Sequence, residues 1–216
     1  MDAYSSSLSS SLAPPGVDER FFGVVIGVVT NNKDPDGLGR VKTSLPWMAD
    51  QVESDWARVV TPMAGPNRGA YFLPDVDDEV LVAFEHGDPS APYVLGGLWN
   101  GKDKPPASNS NGKNDVRVIR SRSGSMVRFT DTENDAKVEI TDSSGRNTIV
   151  IRTKDNSITI TGAGDVTVSA GNGKLTLTGK SVEISAASTV KVEARQSMGL
   201  ESTGTLTVKG RVVNIN

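Results

Sequence analysis

One pattern, a polar residue followed by apolar-x-apolar, recurs through the last third of the chain: Asp165-Val-Thr-Val168, Lys174-Leu-Thr-Leu177, Ser181-Val-Glu-Ile184 and Thr189-Val-Lys-Val192. Eight apolar-x-apolar pairs start between residues 158 and 213, at steps of about 7.9 residues. Alternation with a period of two predicts β-strands whose two apolar side chains share one face. A fixed longer period predicts stacked structural repeats.

These eight-residue repeat units, which we call octads, predict self-association. Eight residues supply one short strand and one corner, which is too little chain to wrap around a filled interior. Three chains that each contribute one side would close a triangular coil and bury the inward pairs on a common axis. The prediction is an intertwined homotrimeric β-helix, with an ordinary β-sandwich as the alternative. The predicted axis core is Ile158, Ile160, Val166, Val168, Leu175, Leu177, Val182, Ile184, Val190, Val192, Leu206 and Val208.

Composition narrows the function classes. The chain has 216 residues, a net charge of −3 and no cysteine. A near-balanced charge does not favour nucleic acid, which usually selects a basic patch. Without cysteine there are no disulfides and no thiolate metal sites. No apolar run reaches membrane-spanning length, and the Ser-rich N-terminus lacks the pattern of a secretory signal.

The sequence divides into five zones. We predict a flexible or docking segment over 1–20, a small β-barrel over 21–100, a linker over 101–114, a neck over 115–157 and the regular octads over 158–216. All three tryptophans fall in the barrel zone, as core or interface anchors. Gly/Pro turns separate short strand patterns there, which is typical of an OB-fold. The predicted barrel-zone strands are Phe22–Thr30, Arg40–Leu45, Trp56–Val60, Ala70–Leu73, Glu79–Glu85 and Pro92–Leu98.

Several residues are of types that often form catalytic or metal sites, but the sequence shows no partner residues near them. His86 is the sole histidine and is predicted to be a turn or packing residue. Asp34-Pro-Asp-Gly37 begins like a calcium loop, but Leu45 stands where the twelfth-position Glu should be, so a β-turn is predicted. The acids Asp75, Asp77, Asp78 and Glu79 are predicted to form a solvated loop or an ion-pairing surface at a subunit contact. Arg120, Arg122 and Arg128 are predicted to pair with acids of another subunit. No catalytic residue, metal site or cofactor is predicted.

A series of short motifs then gives a specific resemblance. In order they are Asp34-Pro-Asp-Gly-Leu-Gly-Arg-Val-Lys42, Asp55-Trp-Ala-Arg58, Arg68-Gly-Ala-Tyr-Phe-Leu-Pro74, Phe84-Glu-His-Gly-Asp-Pro89 and Tyr93-Val-Leu-Gly-Gly-Leu-Trp-Asn100. This stretch resembles the OB-fold domain of spike proteins from contractile injection machines, the family of phage baseplate assembly protein V and the VgrG spikes. The expected fold class is therefore all-β, an N-terminal OB-fold barrel followed by an intertwined homotrimeric β-helix shaped as a triangular prism.

The resemblance implies a structural function rather than an enzymatic one. It implies a membrane-puncturing spike at the tip of a contractile phage tail or injection system, assembled in the cytoplasm and delivered to the target envelope. The implied partners are two more copies of the chain, separate hub and tail-tube proteins on the OB-fold side, and a PAAR-type tip protein at the C-terminal end. The predicted tip-docking residues are Val212, Val213, Ile215 and Asn216.

Two other classes compete with this interpretation. One is a nucleic-acid-binding OB-fold protein with a trimerising stalk. The other is a polysaccharide-degrading tailspike, for which Glu183, Glu193 and Glu201 are the available carboxylates in the octads. Nucleic-acid binding would need a basic groove lined with aromatic residues, and polysaccharide cleavage would need carboxylates close together.

Overall fold

Alternating apolar residues close a five-stranded barrel in the first part of the chain. The computed structural model describes residues 20–47 and 52–215; the predicted N-terminal segment lies outside them except for Arg20. Each barrel strand places every second side chain inside, as in β6, where Val80, Val82 and Phe84 are buried. The strands of this region are β1 (Val24–Asn31), β2 (Arg40–Ser44), β3 (Ala57–Val59), β4 (Ala64–Gly65), β5 (Arg68–Gly69), β6 (Glu79–Phe84) and β7 (Pro92–Gly97).

The barrel has the strand order β1-β2-β3-β7-β6. All its neighbours are antiparallel except β3 and β7, which pair in parallel and close the sheet on itself. Five strands in a partly crossed, closed order are the OB-fold architecture. The predicted all-β class and the OB domain are therefore confirmed, and closure removes the exposed strand edges of an open sheet.

The barrel core is mainly aliphatic, with Phe84 as the aromatic member of its buried cluster. Its buried residues are Val29, Val41, Leu45, Ala57, Val80, Val82, Phe84 and Val94. Trp47 and Trp99 are exposed instead, so they are not core anchors. Gly27 lies in this core because a Cβ there would stand 3.1 Å from a Val82 methyl and 3.2 Å from the Thr43 Cβ. A side chain at this position would require β2 or β6 to move by a few tenths of an ångström.

One strand prediction in this region is wrong. Ala70–Leu73 forms no strand, and the chain before it forms the small β4–β5 hairpin instead. Asn67 turns this hairpin with φ of 53°, and the Ala70 amide donates to the Met63 carbonyl at 3.0 Å. Tyr71 and Phe72 are left exposed. An apolar run therefore looked like a strand although no neighbouring strand pairs with it.

The predicted neck is a five-stranded antiparallel meander. Its strands follow chain order, each paired with the next through a tight turn. They are β8 (Val116–Arg120), β9 (Met126–Thr130), β10 (Lys137–Thr141), β11 (Thr148–Arg152) and β12 (Ser157–Thr161). The meander thus includes Ile158 and Ile160, which the sequence had assigned to the first octad.

Residues 164–215 form a second unit, separate from the described residues up to 163. Between residues 164 and 215 no strand pairs with another part of the chain, and every residue is exposed. Across the described residues, no helix is long and apolar enough to cross a bilayer.

Candidate functional site

The backbone of the second unit repeats with a period of exactly eight residues. It bends at residues 163, 171, 179, 187, 195, 203 and 211, and six bend-free segments lie between these corners. In each of the six, the apolar residues occupy the second and fourth positions, as Val182 and Ile184 do in 181–186. In extended chain these two positions point to the same side. Six apolar pairs are therefore presented in the same way, one per side.

Their exposure repeats as well. The first member of each pair is 50–59% exposed and the second 65–71%, with no overlap between the two sets. Irregular chain would not reproduce this difference six times. The segment therefore has a regular conformation but has no core of its own. The pairs are Val166/Val168, Leu175/Leu177, Val182/Ile184, Val190/Val192, Met198/Leu200 and Leu206/Val208.

The backbone polar groups of this segment also lack partners within the chain. From residue 164 to 215, the backbone–backbone hydrogen bonds outside regular structure include only Gly173 to Ala170, at 2.6 Å. Extended segments present a row of N–H and C=O groups, which buried structure must pair. Apolar pairs and unpaired strand edges in the same segment are the two requirements for adding further strands.

The C-terminal end departs from the repeat. After the bend at 211 and 212, the apolar residues Val213 and Ile215 take the first and third positions instead of the second and fourth. Val212, Val213 and Ile215 are 71%, 46% and 90% exposed. Asn216, the fourth predicted docking residue, lies outside the described residues. The last octad thus presents its apolar pair out of phase with the six before it.

The meander has one almost wholly apolar face, which we call the apolar sheet face. The strand registers place Ile140 opposite both Val127 and Ile149, and Val138 opposite both Phe129 and Ile151. Arg117 is its only charged residue, and it pairs with Asp131 at the edge. The apolar members are Ile119, Val127, Phe129, Val138, Ile140, Ile149, Ile151, Ile158 and Ile160.

Seven of these nine residues are exposed by 39–69%. Such a contiguous apolar surface usually marks an interaction site. Sequence analysis assigned most of these residues to the neck but missed that they share one face, because that depends on the register between strands. Ile158 and Ile160 belong to this face, so the predicted axis core begins in the meander.

The opposite face of the meander is polar. It carries Arg128, Glu139 and Val150 side by side in the registers of β9, β10 and β11. Arg128 Nε is buried without a hydrogen-bond acceptor in the described part of the chain. Arg122 pairs with Asp75 of the same chain at 3.0 Å, and its predicted pairing with another subunit stays a prediction.

The outer surface of β2 and β3 is where OB-folds bind oligonucleotides. Here its basic residues are neutralised within the chain. Lys42 Nζ lies 2.9 Å from Glu53 and the Arg58 guanidinium 3.7 Å from Glu85. The hydrogen bond from Lys42, with a second from Thr30, lowers the pKa of Glu53.

Arg40 is held more tightly by Asp34 and Asp36. The Asp34 carboxylate accepts from the Arg40 guanidinium at 2.7 and 2.9 Å and from the backbone amides of Leu38 and Arg40. Its side chain is only 3% exposed. Bonding to Arg40 holds the pKa of Asp34 well below its usual range. The predicted turn at 34–37 is confirmed by the Gly37 amide, which donates to the Asp34 carbonyl at 3.2 Å.

His86 is a turn residue, as predicted. It lies in a short 3-10 turn over Glu85–Gly87 with φ of 49°, and its carbonyl accepts from Arg20 at 3.3 Å. Nearby, Tyr93 donates to Glu85 at 2.6 Å, and this bond raises the pKa of Tyr93. No three acidic or histidine side chains in residues 20–47 and 52–215 converge as metal ligands.

A second apolar surface lies on the outside of the barrel. Val24 and Ile26 of β1 are 54% and 50% exposed, and Leu95 of β7 is 41% exposed. Phe22, just before β1, is 78% exposed. The sequence signal for this surface was the continuous run of apolar residues from 24 to 29. A strand with one face in solvent alternates apolar and polar residues, so a continuous run indicates apolar side chains on both faces.

Comparison with known proteins agrees with this architecture. Residues 25–99 match the family described as the type VI secretion system/phage-baseplate injector OB domain. Over 98 residues, 44% of this chain, the sequence is 33% identical to type VI secretion system spike protein VgrG3 of Vibrio cholerae serotype O1. It is 32% identical over 114 residues to spike protein VgrG1a of Pseudomonas aeruginosa.

A third relative, at 32% identity over 96 residues, is named actin cross-linking toxin VgrG1 of Vibrio cholerae. The matches span only 10%, 18% and 9% of the lengths of these three relatives. The resemblance to VgrG-like baseplate spike proteins is confirmed, and the family match itself lies in the barrel.

Proposed function

We propose that this chain is the structural spike of a contractile phage tail or injection system, and that three copies form its shaft. The observation that carries the proposal is the octad geometry, with six identically presented apolar pairs and unpaired backbone from 164 to 215. Three chains offering one eight-residue side each would bury the pairs on a common axis and pair the strand edges between chains. The similarity to VgrG spike proteins supports this function.

The proposed mechanism is mechanical. Contraction drives the tube forward, and the shaft transmits force to the target envelope. Intertwined chains resist this load because no single strand can peel away before many inter-chain contacts open together. Such a structure is stable chiefly through a slow unfolding rate. In this proposal, 21–100 is the attachment domain, 101–114 a linker, 115–157 the neck and 158–216 the shaft.

We assign the attachment partners to the barrel. The exposed apolar surface around Val24, Ile26 and Leu95 offers a contact for hub and tail-tube proteins. At the other terminus, Val212, Val213, Ile215 and Asn216 would dock a PAAR-type tip protein. The out-of-phase position of Val213 and Ile215 supports this, because it presents apolar surface differently from the six pairs before it. Loss of tip-protein binding by Val213→Asp in an otherwise intact trimer would test the assignment.

The nucleic-acid alternative is disfavoured by the barrel. A binding groove needs cations free to meet phosphates. Arg40, Lys42 and Arg58 each lie against a carboxylate of the same chain. For the polysaccharide alternative, no group of three or more acidic side chains converges in the described part of the octads, and Glu193 is paired with Lys191.

The native mass of the full chain tests the proposal. The chain weighs 22.8 kDa, so light scattering should give about 68 kDa at all accessible concentrations. A truncation after residue 112 should lose this association. A full chain that remains at 22.8 kDa would refute both the trimer and the mechanical function.

A further inference from the structure

The repeat itself poses a problem of alignment. Bends recur every eight residues from 163 to 211, and the apolar pairs follow them, with only Leu175/Leu177 one residue later, after the three-residue corner at 171–173. If one of three chains slipped by eight residues, most sides would meet the same pattern again. Periodic strands therefore specify their spacing but not which octad of one chain lies beside which octad of the next. A correctly aligned shaft needs a non-repeating element.

We propose that the apolar sheet face of the meander is this element: it docks on the same face of two further copies and fixes the register of the octads. This inference rests on the proposed trimer. The face is built before any association, because each strand of the meander is hydrogen bonded to the next within one chain. Only Gly162 separates the end of β12 at Thr161 from the first bend at Ala163. In the proposed trimer, chains aligned through this face would therefore enter the octads from a shared starting point.

The partner is a second copy of this chain for two reasons. First, the face ends in Ile158 and Ile160, a pair with the same spacing as the octads that follow. Second, the face is nearly uncharged. A rotational symmetry axis brings identical residues together, and apolar side chains tolerate this whereas like charges repel. Arg117, the one charged member, already has Asp131 beside it.

The apolar sheet face also specifies one alignment between chains, which the repeating octads do not. It carries an aromatic residue, Phe129, at one position only, and its four turns are five, six, six and four residues long. A copy shifted by one octad cannot shift its meander by an equivalent step. Misaligned chains would therefore leave these apolar residues exposed.

A fluorescence experiment can read the register directly. The chain has no cysteine, so Thr207→Cys provides one labelling site for pyrene. Thr207 lies between Leu206 and Val208 and so points away from the axis. In register, the three labels stand on three different sides. After a slip of one octad, two labels stand on one side in adjacent strands, about 4.8 Å apart, where pyrene forms excimers.

The test compares two pairs of substitutions in the labelled full chain. Ile140→Thr with Ile149→Thr alters opposed residues on the apolar sheet face. The control, Val118→Thr with Val150→Thr, makes the same kind of change on the polar face of the same sheet. We expect monomer emission from the parent and the control. We expect a several-fold rise in the excimer-to-monomer ratio, or loss of the trimer, from the apolar-face pair.

If the apolar-face pair loses the trimer while the control keeps it, docking is supported, and Ile149→Thr alone then reads the register. A trimeric apolar-face variant with unchanged monomer emission would overturn the inference and leave the proposed function standing. A parent chain that is not trimeric would overturn the proposed function itself, which light scattering on the same samples distinguishes.

Discussion

The barrel and the octads use the same alternating strand pattern but satisfy it in opposite ways. In the barrel, Val29, Val41, Val80, Val82 and Val94 are fully buried by their own chain. In residues 164–215, the equivalent apolar residues are at least 46% exposed although their backbone is regular. The difference lies in chain length per turn. Five strands with long connections close on themselves, whereas the eight-residue sides leave their apolar pairs exposed, and in the proposed trimer other chains would cover them.

Breaking the octad core should have the largest effect. Leu206→Asp would place three carboxylates together on the proposed axis, where burial of unpaired charge costs several kcal/mol. We expect the trimer to dissociate or to lose the C-terminal part of its shaft, while the barrel stays folded. Sizing with light scattering measures the first effect, and circular dichroism at low temperature the second.

Thr207→Asp is the matched control, because it adds the same charge one residue away on the outward side. It should leave the trimer intact. Equal loss of association by both variants would contradict the inward and outward assignment of the octads.

A substitution inside the barrel should have an intermediate effect and act within one chain. In Gly27→Val, the new side chain would collide with Val82, Thr43 and the Ser44 carbonyl. Overpacking of this kind costs roughly 1–3 kcal/mol. We expect the barrel transition in denaturant to move to lower concentration without any dependence on protein concentration, whereas shaft unfolding should depend on it.

Gly96→Val provides the comparison on β7, where no heavy atom lies within 4 Å of the added Cβ. It should be neutral or slightly stabilising, because valine restricts the unfolded chain more than glycine does. An equal loss from both glycine variants would show that strand propensity rather than close packing explains Gly27.

The sequence predicted these two regions unequally. Alternation located most barrel strands, including Glu79–Phe84 and Pro92–Gly97, and the octad spacing located the repeating sides. It did not predict the parallel pairing of β3 with β7, because the residues that separate these strands say little about their direction. Nor did it reveal the Asp34–Arg40 pairing, which depends on how the loop folds over its own carboxylate.

The register between strands explains the two remaining errors of the sequence-based prediction, the missed apolar sheet face and the wrong strand over 70–73. The apolar sheet face exists only because Val127, Ile140 and Ile149 align across three strands. A shift of one residue in any strand would send its side chain to the other face. Ala70–Leu73 failed for the converse reason, since an apolar run without a neighbour has no register to satisfy. Single-strand patterns therefore identify candidates, and the pairing decides which of them form a surface.

The smallest expected effect is a pH dependence of the stability of the meander. It sharpens the comparison with the octads because it requires a turn that is formed within one chain. Asp142 lies in the turn between β10 and β11 and accepts from Ser144 Oγ at 2.8 Å and from the Asn147 amide at 3.1 Å. These bonds, that from Ser144 foremost, lower its pKa from 3.8 to about 2. A carboxyl with a lowered folded pKa stabilises the fold above its unfolded pKa and loses that contribution as pH falls.

The contribution of Asp142 should therefore be complete above about pH 4 and disappear as pH falls to about 2. Asp142→Asn removes the titrating group, so the melting temperatures of parent and variant should differ at neutral pH and converge towards pH 2. The comparison with the variant is needed because Asp34 and Asp155 also have lowered pKa values and titrate in both proteins. A constant difference from pH 7 to 2 would mean that Asp142 acts through hydrogen-bond geometry alone. Convergence would show that the charged turn closes the β10–β11 hairpin, and with it two strands of the apolar sheet face.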